Sequence, residues 1–361
     1  MDRNSPLSKA DNLHDTADMG GPIPNSDADR DKDQDCSAAA MQSNKTVPPL
    51  TGHPMTALPD PRSLDTPPVE WITLAVLAAT YAAWGLGTTL LAAVWLPLGI
   101  GVTGIAIGLF SSLQHEVLHG HPFRSRRLNE ALVFPALTLT VPYGRFRDTH
   151  LAHHHDPILT DPYDDPESNY MDPAVWARTH PAWQAVLRAN NTLLGRVLIG
   201  PLVGNLLWCR TEFRLIAAGD RAVARDWALH AIGLVPVLGW LVWAGFPLWA
   251  YLLAAWIGHG LLKIRTFLEH RAHDAPRART AVVEDRGILS FLFLNNNFHT
   301  VHHMHPSVPW YRLPALYAAH RDHYLRRNDG YRYGSYAEVF RQYLTRAKDP
   351  VPHPVWPVRK D

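Results

Sequence analysis

Apolar positions in this chain gather in two long uninterrupted blocks. From Trp71 through Gln114, 44 residues pass without a single Asp, Glu, Lys or Arg. A second block of 36 residues runs from Trp227 through Leu262, between Asp226 and Lys263. A helix rises about 1.5 Å per residue, so crossing a ~30 Å hydrocarbon core takes about 20 residues. The first block therefore predicts two spans, Trp71–Leu90 and Ala93–Leu113, joined by a tight turn. The second predicts spans over 227–244 and 247–264, turning at Ala244-Gly-Phe-Pro247. Trp227, Trp240, Trp243 and Trp249 suit the interfacial belts of such spans. Two shorter apolar stretches, Ala131–Gly144 and Val197–Cys209, are too short to cross and read as interfacial or re-entrant segments. The pattern predicts an all-α membrane protein with four transmembrane helices in two hairpins.

The polar ends read differently. Residues 1–68 are rich in Asp, Ser, Asn and Pro and lack the positive and apolar regions of a signal peptide. They predict a disordered acidic, Pro-rich tail that closes with a linker from Val47 to Pro68. Residues 69–345 are then one membrane domain and 346–361 a C-terminal tail. The formal net charge of +1 conceals an asymmetry: residues 1–69 hold 11 Asp and 6 Lys/Arg, net −5, which leaves +6 for the remainder. That excess forms no basic stripe, so it gives no footprint for nucleic acid. Arg124, Arg126, Arg127, Arg145, Arg147, Lys263 and Arg265 flank the open ends of the hairpins, whereas the turns inside them are uncharged. The positive-inside rule places both termini and the long central loop on the cytoplasmic side.

Histidines supply the candidate chemistry. His115 and His119 are spaced i, i+4 in His115-Glu-Val-Leu-His119, where the second span ends. His150, His153 and His154 are spaced i, i+3, i+4, as are His299, His302 and His303. Each set falls on one face of a helix. With 21 histidines in 361 residues, chance supplies on the order of 0.1 HxxHH matches per chain. All three sets fall on the expected cytoplasmic side, so a shared metal site and a helical cap carrying it are geometrically possible. Imidazole suits iron, zinc and copper. Cys36 and Cys209 are the only cysteines, which leaves nitrogen and oxygen to hold a metal. One closed zinc site takes four ligands, and eight histidines exceed it.

Other histidines have other expected roles. His270, at the cytoplasmic end of the fourth span, is a candidate ninth ligand. His121, His155 and His305 project off their clusters' ligand faces. His230 and His259 lie within spans, where packing or a substrate-channel role is expected. Metal-bound histidines usually donate their other ring nitrogen to a carboxylate or carbonyl. Glu116, Asp148, Asp156, Asp161, Asp164, Asp165 and Glu269 are candidates for that task. Asn295 and Asn296, four and three residues before His299, either face the site or start a helix.

These features resemble the integral-membrane fatty acid desaturase and hydroxylase superfamily, with its three histidine boxes. The boxes read His115-EVL-His119, His150-LA-His153-His154 and His299-TV-His302-His303. The segment FHTVHHMHPSVPWYRLP is similar to the third-box region of bacterial desaturases and carotenoid ketolases. The resemblance covers roughly residues 70–320. It implies two non-heme iron ions that activate O2, with the eight box histidines as ligands and His270 matching a further ligand by position. It implies a multi-pass protein of a bacterial inner membrane that acts on a lipid-soluble substrate. Desaturation of an acyl chain is the expected reaction, with hydroxylation or ketolation of a lipid or carotenoid as the alternative. No His-Pro-Gly-Gly heme motif is present, so the resemblance implies a separate electron donor such as ferredoxin with its reductase.

Two other readings compete. His115-Glu116-Val-Leu-His119 is an HExxH sequence, the zinc-protease motif, with Glu116 as general base. It leaves the two HxxHH clusters unexplained. A metal transporter or heme carrier would place its site near the bilayer midplane, whereas these clusters lie outside the spans.

Overall fold

The computed structural model describes residues 67–356; the expected tail up to residue 66 and residues 357–361 lie outside the described residues. The described chain is mostly helical, with one parallel pair of two-residue strands. Helix α1 spans Trp71–Val94 and contains a π-helical turn at Gly87–Leu91. Helix α2 spans Leu96–Leu118. Only Trp95 separates them, in extended conformation. Pro97 sits in the first turn of α2, where a missing N–H costs nothing. The first apolar block thus holds two helices, with the break at Trp95 rather than at the expected residues 91–92.

Short helices follow: α3 (Arg126–Leu132), α4 (Tyr143–His153), α5 (Pro173–Arg178), α6 (Pro181–Asn190) and α7 (Leu193–Leu198). Helix α8, Gly200–Ala217, absorbs most of the apolar stretch after Val197 and leaves Leu202, Leu206 and Phe213 exposed. Helix α9 spans Arg221–Ala244. It starts six residues before the expected 227, because the Asp220 side chain accepts from the N–H groups of Ala222 and Val223. It stops at Gly245, whose φ of 65° is the left-handed cap that glycine favours.

Helix α10, Leu248–Thr266, occupies the place of the expected fourth span. Among the described residues, three helices are long and apolar enough to cross a membrane: α1, α2 and α9. Helix α10 has 19 residues, but His259, Lys263 and Arg265 occupy its second half. Its burial explains how it holds them. It packs along α2 rather than forming its main contact with α9, which rests on α4, α8 and the π turn. Small residues allow the approach: a Cβ on Gly258 would meet the Gly104 carbonyl at 2.7 Å, and one on Gly104 would meet the Ala254 carbonyl at 2.9 Å.

The stretch between α3 and α4 has no helical ladder, so its carbonyls need other donors. Rings from the long helices supply them. Tyr81 on α1 donates at 2.7 Å to the carbonyl of Leu132, the last residue of α3, and Tyr251 on α10 to Leu137 O at 2.9 Å. His259 bonds Thr138 O at 3.1 Å, and His230 on α9 bonds Leu139 O at 2.8 Å. His230 and His259 therefore hold this loop, a packing role. The loop in turn aims α4 at the site.

The cap follows α10. Strands β1 (Val282–Val283) and β2 (Arg332–Tyr333) pair in parallel, beside α11 (Ile288–Leu292), α12 (His299–Met304), α13 (Leu313–Ala319), α14 (Arg321–Arg327) and α15 (Tyr336–Tyr343). Val282, Phe298, Val301, Leu313, Tyr317 and Tyr324 form its core. Residues 346–356, expected as part of a tail, pack on the body: Met171 N donates to Val351 O, and His353 N donates back to Met171 O.

Candidate metal centre

Three local structures carry eight of the histidines. His115 and His119 end α2, His150 and His153 lie in the last turn of α4 with His154 as its cap, and His299, His302 and His303 fill α12. His270 comes from the non-helical segment after α10, bridged to Thr280. All nine converge in two groups. His115, His119, His150, His154 and His302 form one; His153, His270, His299 and His303 form the other. Within each group the candidate ligand atoms lie within 4.8 Å of one another.

The ring nitrogens meet tip to tip. In the second group His270 Nε2 lies 2.9 Å from His153 Nε2 and 3.0 Å from His299 Nε2, which is 3.0 Å from His303 Nε2. In the first, His154 Nε2 lies 3.0 Å from His150 Nε2 and 3.2 Å from His302 Nε2. The opposite nitrogens explain why. His150 Nδ1 lies 2.9 Å from Glu167 Oε1, His153 Nδ1 2.7 Å from Asp165 Oδ1, and His299 Nδ1 3.1 Å from Asn296 Oδ1. Acceptors there fix the proton on Nδ1 and turn the Nε2 lone pairs inward, where a cation would be held. His119 Nε2 is buried and has no hydrogen-bond partner among the described residues. This donor set fits a metal in each group.

Electrostatics point the same way for six of the rings and the opposite way for His153. Burial and the neighbouring rings hold His154 at about 2 and push His119, His270, His299, His302 and His303 well below the ordinary imidazole range. Neutral imidazole is the form that ligates. For His153, burial pulls down, but Glu167 and Asp165 outweigh it and raise the group to about 9.

The supporting residues sort themselves less as expected. Asn296 touches both groups, with Nδ2 3.4 Å from His115 Nε2. Glu269 lies 3.5 Å from His299 Nδ1 and 2.9 Å from Arg265 Nε. Asn295 does not face the site: it adopts φ 54° and donates to Trp310 O. Asp156 does not either, because it pairs with Arg327. Glu116 lies 3.7 Å from His115 Nδ1, yet its Oε2 accepts from the Trp310 backbone N–H. Asp165 is the hub of the loop after α4, since it also accepts from the N–H groups of Thr160 and Glu167. Glu167 is the residue that sequence reasoning missed. Its only signal was membership in the acidic run after the second histidine cluster.

Comparison with known proteins agrees with this geometry. The fatty acid desaturase family model matches residues 89–335, a stretch that contains all nine histidines. The chain belongs to the fatty acid desaturase family. It is therefore an enzyme of that family with a histidine-rich metal site. It is also similar to two curated β-carotene ketolases. One, from Paracoccus sp. (strain N81106 / MBIC 01143), is 29% identical over 228 residues, 60% of this chain and 76% of the relative. The other, from Paracoccus sp. (strain PC1), is 27% identical over 226 residues, 59% and 75% of the two chains.

Family membership also disposes of the protease reading. A metalloprotease glutamate must face a metal-bound water, whereas Glu116 is committed to Trp310.

Proposed function

We propose that the chain is a membrane-bound di-iron oxidoreductase that uses O2 to oxidise a C–H bond of a lipid-soluble substrate. The observation that carries this reading is the sorting of nine histidines into two groups of five and four. Each leaves positions for oxygen on a six-coordinate metal, and an all-imidazole set suits iron. Bound there, the iron pair would supply O2 activation. The chain's own part is to hold most of these imidazoles neutral by burial, orient His150, His153 and His299 through Glu167, Asp165 and Asn296, and bury the centre beneath the cap.

The substrate is the finer question. Similarity to two β-carotene ketolases favours oxidation of a carotenoid ring methylene to a ketone. The family match supports a second reading, desaturation of an acyl chain. Both need outside electrons. In desaturation, reducing O2 to two waters takes four electrons and the substrate gives two. In ketolation by two successive hydroxylations, each takes one O2 and two outside electrons, and the resulting gem-diol loses water. In both, a donor such as ferredoxin supplies the outside electrons. We place both described ends and the histidine groups on the cytoplasmic side, with α10 as a fourth, protein-covered crossing. The uncharged turn regions and the flanking Arg and Lys residues support that orientation.

Mass spectrometry of lipids and carotenoids from host cells expressing the chain with a ferredoxin system tests the reaction. A carotenoid that has exchanged two hydrogens for one oxygen establishes ketolation. An acyl chain lighter by two hydrogens establishes desaturation instead, and gain of one oxygen alone establishes hydroxylation.

A further inference from the structure

His270 is the one histidine of the nine without a neighbour ligand on its own element. No helix fixes its backbone. What holds it, besides the bridge to Thr280, is a lysine 78 residues further along the chain. Lys348 Nζ donates to the His270 carbonyl at 2.5 Å and to Tyr331 OH at 3.0 Å, and lies 2.9 Å from Asp349 Oδ2. Its side chain is only 9% exposed. An ammonium carries three donors, and burying one is costly unless each is matched. Here three acceptors surround it, and one is the backbone of a candidate ligand.

The segment that bears Lys348 reaches the other side of the same histidine group. Tyr170 OH donates to Asp349 Oδ2 at 2.6 Å, Asn191 donates to Asp349 O, and Thr160 Oγ1 lies 3.2 Å from His353 Nε2. Tyr170 OH also accepts from Ala272 N at 2.9 Å. Thr160 and Tyr170 bracket the loop whose Asp165 and Glu167 orient His153 and His150. Residues 348–353 thus form a strap from His270 to that loop.

We propose that Lys348 is a positioning residue for the second metal. By tying the His270 backbone to the strap, it keeps His270 Nε2 in register with His153 and His299. The inference rests on the reading of two metals per chain.

The test is iron content and the magnetic signature of the iron in full-length protein purified from membranes. Wild type should hold two irons as a coupled pair; failure of that control would refute the two-metal reading rather than the role of Lys348. Given the control, Lys348→Met should retain the first iron and weaken the second about 10- to 100-fold, the usual effect of losing an outer-sphere partner. The remaining iron should give an uncoupled mononuclear signal, and Lys348→Arg should restore part of the pair. Two coupled irons in Lys348→Met, or equal loss of both, would overturn the proposal. If Lys348→Met does not accumulate, Lys348→Gln replaces it under the same criteria. Failure of both to accumulate would also overturn it, since Lys348 would then be a fold-stabilising contact.

Discussion

Glu116 Oε2 accepts a hydrogen bond of 3.2 Å from the backbone N–H of Trp310. The same tryptophan's Nε1 donates to Thr73 Oγ1, which donates to Glu70 Oε2, while Glu70 Oε1 lies against His121 Nδ1. Glu116 and His121 thus help fasten the start of α1, the end of α2 and the cap after α12 to one another. A fastening carboxylate and a general base predict different mutants. Glu116→Gln keeps the acceptor and should change turnover by less than about tenfold, whereas loss of a general base costs about 10²–10⁴. Glu116→Ala strands the Trp310 N–H and should cost about 1–3 kcal/mol of stability. Turnover and thermal melts of the two variants separate these outcomes.

The loop after α4 makes a second prediction. Glu167→Ala removes the acceptor at His150 Nδ1 and frees the ring to rotate or change tautomer. Iron affinity should fall about 10- to 100-fold, with the helical content unchanged. Glu167→Gln keeps an acceptor and should lose less. Titration of the metal-free protein with iron measures both.

Tyr251 carries two bonds at the helix crossing, donating to Leu137 O and accepting from Trp84 Nε1 at 3.0 Å. Tyr251→Phe leaves two buried polar groups unpartnered, at about 1–3 kcal/mol each. The melting temperature should fall, and iron content should hold at working temperature. Iron loss without a lower melting temperature would contradict a purely structural role for this ring.

Acid should loosen the cap through Glu284. Burial raises this carboxyl, but Arg321, Tyr317 and Arg332 outweigh it and hold it at about 2, below the ordinary 4.5. Its folded value is depressed, so its contribution is complete above the ordinary value and disappears as pH falls through about 2. Glu284→Gln should flatten that limb of a melt-against-pH curve while leaving the neutral end lower.

The histidine clusters were legible because i, i+3 and i+4 spacing survives any tertiary arrangement of a helix. His115 and His119, the α4 set and the α12 set each needed only one turn. Their supporting residues depend on loops instead. Asp165 and Glu167 reach His153 and His150 only because the chain folds back at Thr160, which takes φ 67°. Asn295 turned away because its own left-handed backbone redirects it, while Asn296 one residue later meets His299. The number of crossings was less legible. An uncharged run predicts α10 as a helix, but not that α2 would cover it closely enough to admit His259 among its polar residues. Lys348 had no signal at all, since nothing local ties residue 348 to His270.

Metal analysis of the wild-type chain tests the central claim most directly. Protein purified from membranes and reconstituted with iron should bind two irons per chain, and His302→Ala and His270→Ala should each lose one. A single zinc per chain, retained in both variants, would contradict the account.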